Sequence, residues 1–566
     1  MANIKESGEV ISTDVLIIGG GIGGLVAAVK AKEENPDIDV TIVEKQTTGW
    51  AGKATKIGGI LAFLAPNNNA DKFMDFQVRS SGFYLNDQEL LSKYVQSSYK
   101  AIEEFGEWGA KLARTPDGKL VTIPTFWAPE WSMTFIDIDL MLPIMAKARK
   151  MGTKFYNKIH IVDLLKKSGK IIGATGFDII TGQFHVFKSK ATVLANGSCG
   201  YKIRRFWIAG TGDGIAAAFR AGAEMRNAEY GNLYGHTVWQ DTDSGMVGHQ
   251  FLVNAQGENL SKKYLPDEGP TGVFLPVQLA VGLEKEVAEG RGPIYFAPPP
   301  STSPFGEMHA ELPKLSDWSR RMAEKEKKYG LPPDVKRSIA VPLHGETSCI
   351  KVDHEMRTSL EGLWAIGDTS YAGSAVAGAV ASPPGVTPGS GIMYAAISAA
   401  WGGPSAARYA KETSSGAIKD AEIKAIKDKI LTPMQRSKGF SPGDAIAMLQ
   451  EITAPIKYSL RRSKARLNEA LARLEELKEK IPTLYAKDLH YLGKCHEITS
   501  MTLCAELTFR AALMREESRG FHFREDYPKR DDKKWLKWII LKQDDGKVKL
   551  STQPVPIDKY KIKPTK

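Results

Sequence analysis

Asp14-Val-Leu-Ile-Ile-Gly19-Gly-Gly21-Ile-Gly23-Gly24 decides the fold, and Leu25-Val-Ala-Ala-Val-Lys-Ala-Lys-Glu-Glu34 follows it without a break. An apolar run closed by glycine is the pattern of a buried parallel strand, and the alanine-rich stretch behind it is the pattern of a helix. Gly19, Gly21 and Gly24 have the G-x-G-x-x-G spacing, in which absent side chains let the backbone approach a pyrophosphate at the positive end of the helix. A second apolar run, Asp39 to Val43, ends on Glu44, about twenty residues after Gly24, where a carboxylate can accept hydrogen bonds from a ribose diol. Gly23 and Lys45 are counted with this site. Strand, tight turn, helix and acid together predict a dinucleotide cradle, which at this point suits NAD and FAD equally.

Other segments decide between them. Leu360-Glu-Gly-Leu-Trp-Ala-Ile-Gly367-Asp368 has the form of a short strand ending in Gly-Asp, followed by a glycine- and alanine-rich loop and a helix from about Gly391, with Gly389 and Ser390 at its entrance. It resembles the second FAD motif of flavoproteins with two dinucleotide-type folds. Ala191-Thr-Val-Leu-Ala195-Asn196-Gly197 is similar to the strand and turn that close the FAD site in those proteins, and Gly58-Gly59 is a further matching piece. Thr211-Gly-Asp213-Gly, Glu289-Gly-Arg291-Gly, Val341-Pro-Leu-His344 and Glu517-Ser-Arg519-Gly-Phe-His522 resemble, in order, motifs of the fumarate reductase and succinate dehydrogenase flavoproteins. Within that group, Phe105-Gly-Glu-Trp108, Gly173 to Lys190 and Gly290-Arg-Gly-Pro-Ile are similar to the adenylylsulfate reductase flavoprotein subunit.

The resemblance implies an α/β fold, with a two-dinucleotide-binding, Rossmann-like FAD domain, an inserted α+β capping domain and a C-terminal helical domain. The expected divisions are 1–228 and 341–403 for the FAD domain, 229–340 for the cap, 404–530 for the helical domain and 531–566 for a C-terminal tail. It also implies an oxidoreductase exchanging two electrons between FAD and a small anionic substrate, with an iron–sulfur, ferredoxin-like partner relaying them. A fumarate or enoate reductase of the succinate dehydrogenase type, and a non-catalytic electron-transfer flavoprotein subunit, stay open beside it. By motif match Arg291 and His344 are the catalytic candidates, and Tyr234, His236, Arg204, Arg205 and Trp207 are further substrate-binding candidates. Gly52 stands where covalently flavinylated relatives carry histidine, so the FAD is expected to be noncovalent. The loop Ala381 to Ser390 lacks the arginine that dicarboxylate enzymes place there.

Composition bounds the rest. At 566 residues with 42% apolar and 25% charged residues, the chain is that of a folded globular enzyme. Its four cysteines lack the close spacing of metal or cluster ligation, so no metal is expected and any iron–sulfur cluster belongs on another chain. The net charge of +11 comes with interleaved acids and no regular aromatic platforms, which speaks against nucleic acid as a partner. Neither an apolar leader nor a run near the ~20 residues that span a bilayer is present, so no membrane insertion and a cytoplasmic location are expected.

Overall fold

In this computed structural model, residues 8–564 are described except 56–58, 126–127, 138, 204–209, 231–235, 240–241, 247–251, 266–276, 298–301, 303–306, 308–309, 312, 315–316, 330–336, 341–345, 372–389, 415 and 417. Val15, Leu16 and Ile17 have no exposed surface, which requires cover on both faces of the strand that carries them. That strand, Glu9–Ile18, lies inside a seven-stranded sheet and pairs in parallel with Val40–Glu44 on one side and Phe184–Leu194 on the other. Lys154–Asn157 continues the first side, also in parallel. Phe184–Leu194 serves two further neighbours. Its first residues pair antiparallel with Lys170–Asp178, which pairs in turn with Ile159–Lys167, and Thr192 to Leu194 pair in parallel with Leu363–Ala365.

Ile18 is therefore level with Val43 and Leu194, and Leu194 with Ala365. Three loops far apart in sequence leave the sheet at one edge, the carboxyl ends of parallel strands, which is where ligands of open α/β sheets bind. The helix Ile22–Glu34 packs along the helix Ser390–Glu412, and Ala27, Ala28, Ala31, Ala396 and Ala399 are buried between and around them. Small side chains let the two axes come close, so the helix after the first glycine loop and the helix after the second motif form one layer. Ser390–Glu412 runs straight through the division expected at 403/404, with Pro404 inside it.

Between the two halves of this unit, His236–Trp239, Thr242–Met246, Leu252–Val253, Tyr295–Phe296 and Arg337–Ala340 make a five-stranded antiparallel sheet. With the helix Val277–Ala288 they enclose a small separate core around Leu252, Leu279, Leu283 and Ile294, which Ile456 and Leu460 complete from the later helical region. That region contains the helices Asp420–Gln435, Pro442–Thr453, Lys464–Lys480 and Leu489–Met514. The expected tail over 531–566 is instead folded. Lys537–Asp544 and Lys547–Pro554 form a hairpin whose first strand pairs with Met225–Arg226, and Trp538 Nε1 donates to the Leu85 carbonyl at 2.8 Å. Among the described residues no helix is long and apolar enough to cross a membrane.

Candidate active site

The three loops at the sheet edge are tied to one another by backbone. Gly19 N donates to Val43 O at 2.8 Å, Ala195 N to Ile18 O at 2.8 Å, and Ile366 N to Leu194 O at 2.9 Å. Gly19 has φ +115°, and a Cβ there would collide with the Ala195 carbonyl. Only glycine lets the first loop turn this close to the second. Gly24 is equally constrained, since a Cβ would run into the Gly19 carbonyl oxygen. Around Gly21, by contrast, a Cβ would meet nothing within 4 Å. The open side of the turn thus lies at the start of Ile22–Glu34, whose first amides have no partner within the helix. Gly23 faces the other helix, toward Ala395.

Glu44 ends its strand buried, with its oxygens accepting from Gly20 N and Gln46 N at 2.7 Å each. An ionised carboxylate has about four acceptor positions, so two remain for a ligand hydroxyl pair. Asn196 presents a buried side-chain oxygen without a partner, and Gly197 N donates to Thr369 Oγ1 at 2.9 Å, which joins the second loop to the third. A glycine turn open at a helix start, an acid with spare lone pairs and an orphaned amide oxygen fit a dinucleotide.

Two lysines complete this edge. Lys45 Nζ donates to Asp213 Oδ2 at 2.8 Å, Thr211 Oγ1 at 3.0 Å and Glu497 Oε1 at 2.9 Å, bringing three expected cofactor positions together. Burial opposes its charge, but the two carboxylates outweigh this and push its pKa up. For Glu497, burial works upward, while Lys45 and Lys202 hold its pKa down at about 2. Lys53 Nζ is 2.7 Å from Asp368 Oδ2, 2.8 Å from Glu346 Oε1 and 3.2 Å from Ser198 Oγ. Sequence reading missed Lys53, Glu346, Ser198 and Glu497. Lys53 sits beside Gly52, a position the motif match does single out.

Of the other expected residues, Gly367 opens the turn Gly367–Thr369, its N–H bonded to Ser398 Oγ at 2.9 Å, and Ser390 and Gly391 start the long helix. Gly59 accepts from Ile136 N at 2.6 Å, beside the strand Ser132–Phe135. His236 heads its strand, paired with Met246 and Ala340. Gly58, Arg204, Arg205, Trp207, Tyr234, His344 and Gly389 lie outside the described residues. Arg291 is already engaged. Its Nε and Nη2 grip Glu286 at 2.6 and 3.0 Å, and Nη2 also donates to Glu289. That clamp joins the end of Val277–Ala288 to the segment leading into Tyr295–Phe296.

Known proteins agree with this architecture. Residues 14–238 match the family model described as FAD binding domain, and 449–566 the one described as fumarate reductase flavoprotein C-term. The 8-methylmenaquinol:fumarate reductase flavoprotein subunit of Wolinella succinogenes is 26% identical, with 100% of this chain and 94% of that one covered. Among solved structures, the quinol fumarate reductase flavoprotein of E. coli superposes with a TM-score of 0.81 at 20% identity, covering 99% of each chain. Adenylylsulfate reductase of Archaeoglobus fulgidus gives 0.76 at 22% identity, covering 97% and 96%. The solved structures carry the fold; the family models and sequence relatives carry FAD. Gly52 offers no side chain for a covalent link at the position the motif match singles out.

Proposed function

The chain belongs to the fumarate reductase and succinate dehydrogenase flavoprotein family and is an FAD-dependent oxidoreductase; on that footing we propose that it exchanges two electrons with a small anionic substrate of the adenylylsulfate type. The observation that carries this reading is that no charged residue occurs from Thr369 to Ala407, the whole segment from the second cofactor motif into the long helix. A dicarboxylate enclosed there has a second head group to which this segment supplies no cation, and a desolvated, unpaired carboxylate costs several kcal/mol. A substrate with one anionic reacting end escapes that cost. His344, His236, Tyr234, Arg204, Arg205 and Trp207 are the groups we assign to it. Arg291, gripped by Glu286 and Glu289, we take as a positioning residue that ties the end of Val277–Ala288 to the segment leading into Tyr295–Phe296.

Bound FAD supplies the two-electron chemistry. With adenylylsulfate, two electrons break the bond between sulfur and the bridging oxygen and release sulfite and AMP. An iron–sulfur, ferredoxin-like protein relays the electrons in this reading. Relatives are named as flavoprotein subunits, and a net charge of +11 suits an acidic partner. All four cysteines are buried and free, as suits a reducing compartment such as the cytoplasm. A second reading, reduction of fumarate or another enoate, is favoured by the sequence relatives, which include fumarate reductase flavoprotein subunits matching over nearly the whole chain.

An anaerobic titration of the visible flavin band separates the readings. Adenylylsulfate is expected to reoxidise the photoreduced protein, and sulfite to bleach the oxidised protein more deeply when AMP is present. Reoxidation by fumarate instead moves the assignment to the carbon–carbon double bond, and no response to any of these compounds rejects both substrates.

A further inference from the structure

Trp50 is 63% exposed, whereas the other tryptophans with described side chains are buried or half-buried. An indole carries a large apolar face that folding normally covers. Among the described residues no ring, cation or hydrogen-bond acceptor meets this one. Its backbone is nevertheless firmly held. Gly49 N donates to Gly20 O at 3.1 Å, and Trp50 N and Ala51 N both donate to Thr47 O, at 3.1 and 2.9 Å. Thr48 is fixed to Asn157 Oδ1 through its N and its Oγ1 at 2.8 Å each, and Ala51 is buried.

Both ends of this loop touch the cofactor motifs. Thr48 packs so closely on the first that a Cβ at Gly20 would stand 2.7 Å from Thr48 Oγ1. A Cβ at Gly52 would come within 3.5 Å of Gly21 Cα, at the open side of the glycine turn. Lys53, next along, donates to Asp368 Oδ2 of the second motif at 2.7 Å. A dinucleotide held by both motifs runs over the same span, from the helix start behind Gly21 to the turn Gly367–Thr369, so residues 48–53 lie beside it. We propose that Trp50 is an FAD contact, its indole packing on the flavin ring, which gives the indole the cover that the protein does not. The flavin end is assigned because Trp50 stands two residues from Gly52, where flavinylated relatives carry the linking histidine, and three from Lys53. Neither the substrate nor the redox partner enters, so the inference stands or falls separately from the substrate assignment.

Trp50→Ala should release FAD from the loaded enzyme at least about fivefold faster, the low end of what stacking on an aromatic side chain contributes. Trp50→Phe keeps an aromatic face and should stay within about twofold of wild type. An exposed side chain holds little together in the unloaded chain, so urea unfolding of the FAD-stripped protein should be the same in all three, which separates lost stacking from lost folding. The second readout is chemical. N-bromosuccinimide, which oxidises accessible indoles, should modify Trp50 in the stripped protein and spare it in the loaded one, as read by peptide mass. ADP, which lacks the flavin, should leave Trp50 reactive. Protection by FAD and not by ADP, together with faster release from Trp50→Ala, supports the proposal. Equal reactivity with and without FAD, protection by ADP, or an unchanged release rate in Trp50→Ala overturns it and leaves the indole to solvent, to the adenine end or to another protein.

Discussion

Among the described residues, one buried charge network is built on arginine and another on lysine. Near the chain end, Glu517 accepts from Arg515 at 2.9 Å and from Arg519 at 2.7 and 2.8 Å, while Glu229 accepts from Arg515 at 2.7 Å. The remaining Arg515 donors go to the carbonyls of Trp535 and Lys537, and Arg524 donates to those of Ala512, Leu513 and Arg515. At the cofactor edge, Lys45 and Lys53 each bridge two carboxylates. A guanidinium has five donors in a rigid fork, which backbone carbonyls can use up; an ammonium is closer to a point charge. The arginine network turns its donors inward and joins the start of the cap segment to the terminal hairpin. The lysine network stands at the carboxyl edge of the parallel strands, beside the glycine turn and Glu44. Burial of charge alone does not mark a site; its place at that edge of the sheet does.

The largest effect should come from breaking the arginine network. Arg515→Met strands Glu229 and takes one of two arginine partners from Glu517, both side chains being fully buried. Removing one partner of such a pair costs about 3–5 kcal/mol, and urea unfolding should show a loss of that size. FAD affinity of the remaining folded protein should be close to wild type. A loss below about 1 kcal/mol, or a large loss of FAD affinity in the folded fraction, would erase the distinction between the two networks.

Acid distinguishes them next, because they titrate in different windows. Glu497 has its pKa held down at about 2, against an ordinary value of 4.5. A depressed carboxyl adds stability that is complete above pH 4.5 and disappears as pH falls toward 2, on the order of 3 kcal/mol in all. Glu497→Gln should therefore destabilise at neutral pH and much less near pH 2. His522, in the arginine network, is pushed well below 6.5 by burial and by the charges of Arg462 and Arg515. Folded, it stays neutral while the unfolded chain takes up a proton, so stability falls as pH drops below 6.5, by about 1.4 kcal/mol per pH unit. His522→Asn should flatten that limb; His496, with its pKa lowered to about 4 by burial and by His160, contributes to the same limb and should remain. If Glu497→Gln alters the limb above pH 5, or His522→Asn leaves it untouched, the assignment of the two windows is wrong.

The cofactor edge was legible wherever its chemistry is local in sequence. Gly19 to Gly24, Glu44, Ala195 to Gly197 and Gly367-Asp368 each carry their reason in a few neighbouring residues, a strand end followed by a turn that needs glycine or an acid. Lys53 carries no such reason. Its partners lie 145, 293 and 315 residues away, and nothing near it predicts them. Arg291 shows the opposite relation, a partner close in sequence. Its motif suggests an anion of the substrate, whereas the carboxylate it meets is Glu286, five residues earlier and placed by the end of a helix. The terminal hairpin had a readable signal, Asp545-Gly546 between two runs with β-branched and apolar residues, the dipeptide that favours positive φ at both positions. The charged residues Lys529, Arg530, Lys533, Lys534 and Lys537 ahead of it are those of a solvated surface.

The smallest expected effect serves as a reference for both networks. Asp488 caps the helix Leu489–Met514, its side chain accepting from Tyr491 N at 2.9 Å. This helix carries Glu497 toward Lys45 and ends just before Arg515, so it spans the distance between the two networks. Asp488→Ala removes one capping hydrogen bond and one favourable charge at the helix start, worth about 1 kcal/mol. Were the helix a rigid strut coupling the networks, loss of its cap would also weaken FAD binding and shift the acid limb. With the networks anchored separately, by Asp213 and Thr211 at one end and by Glu229 and Glu517 at the other, the variant should lose about 1 kcal/mol in urea unfolding with FAD affinity and pH profile unchanged.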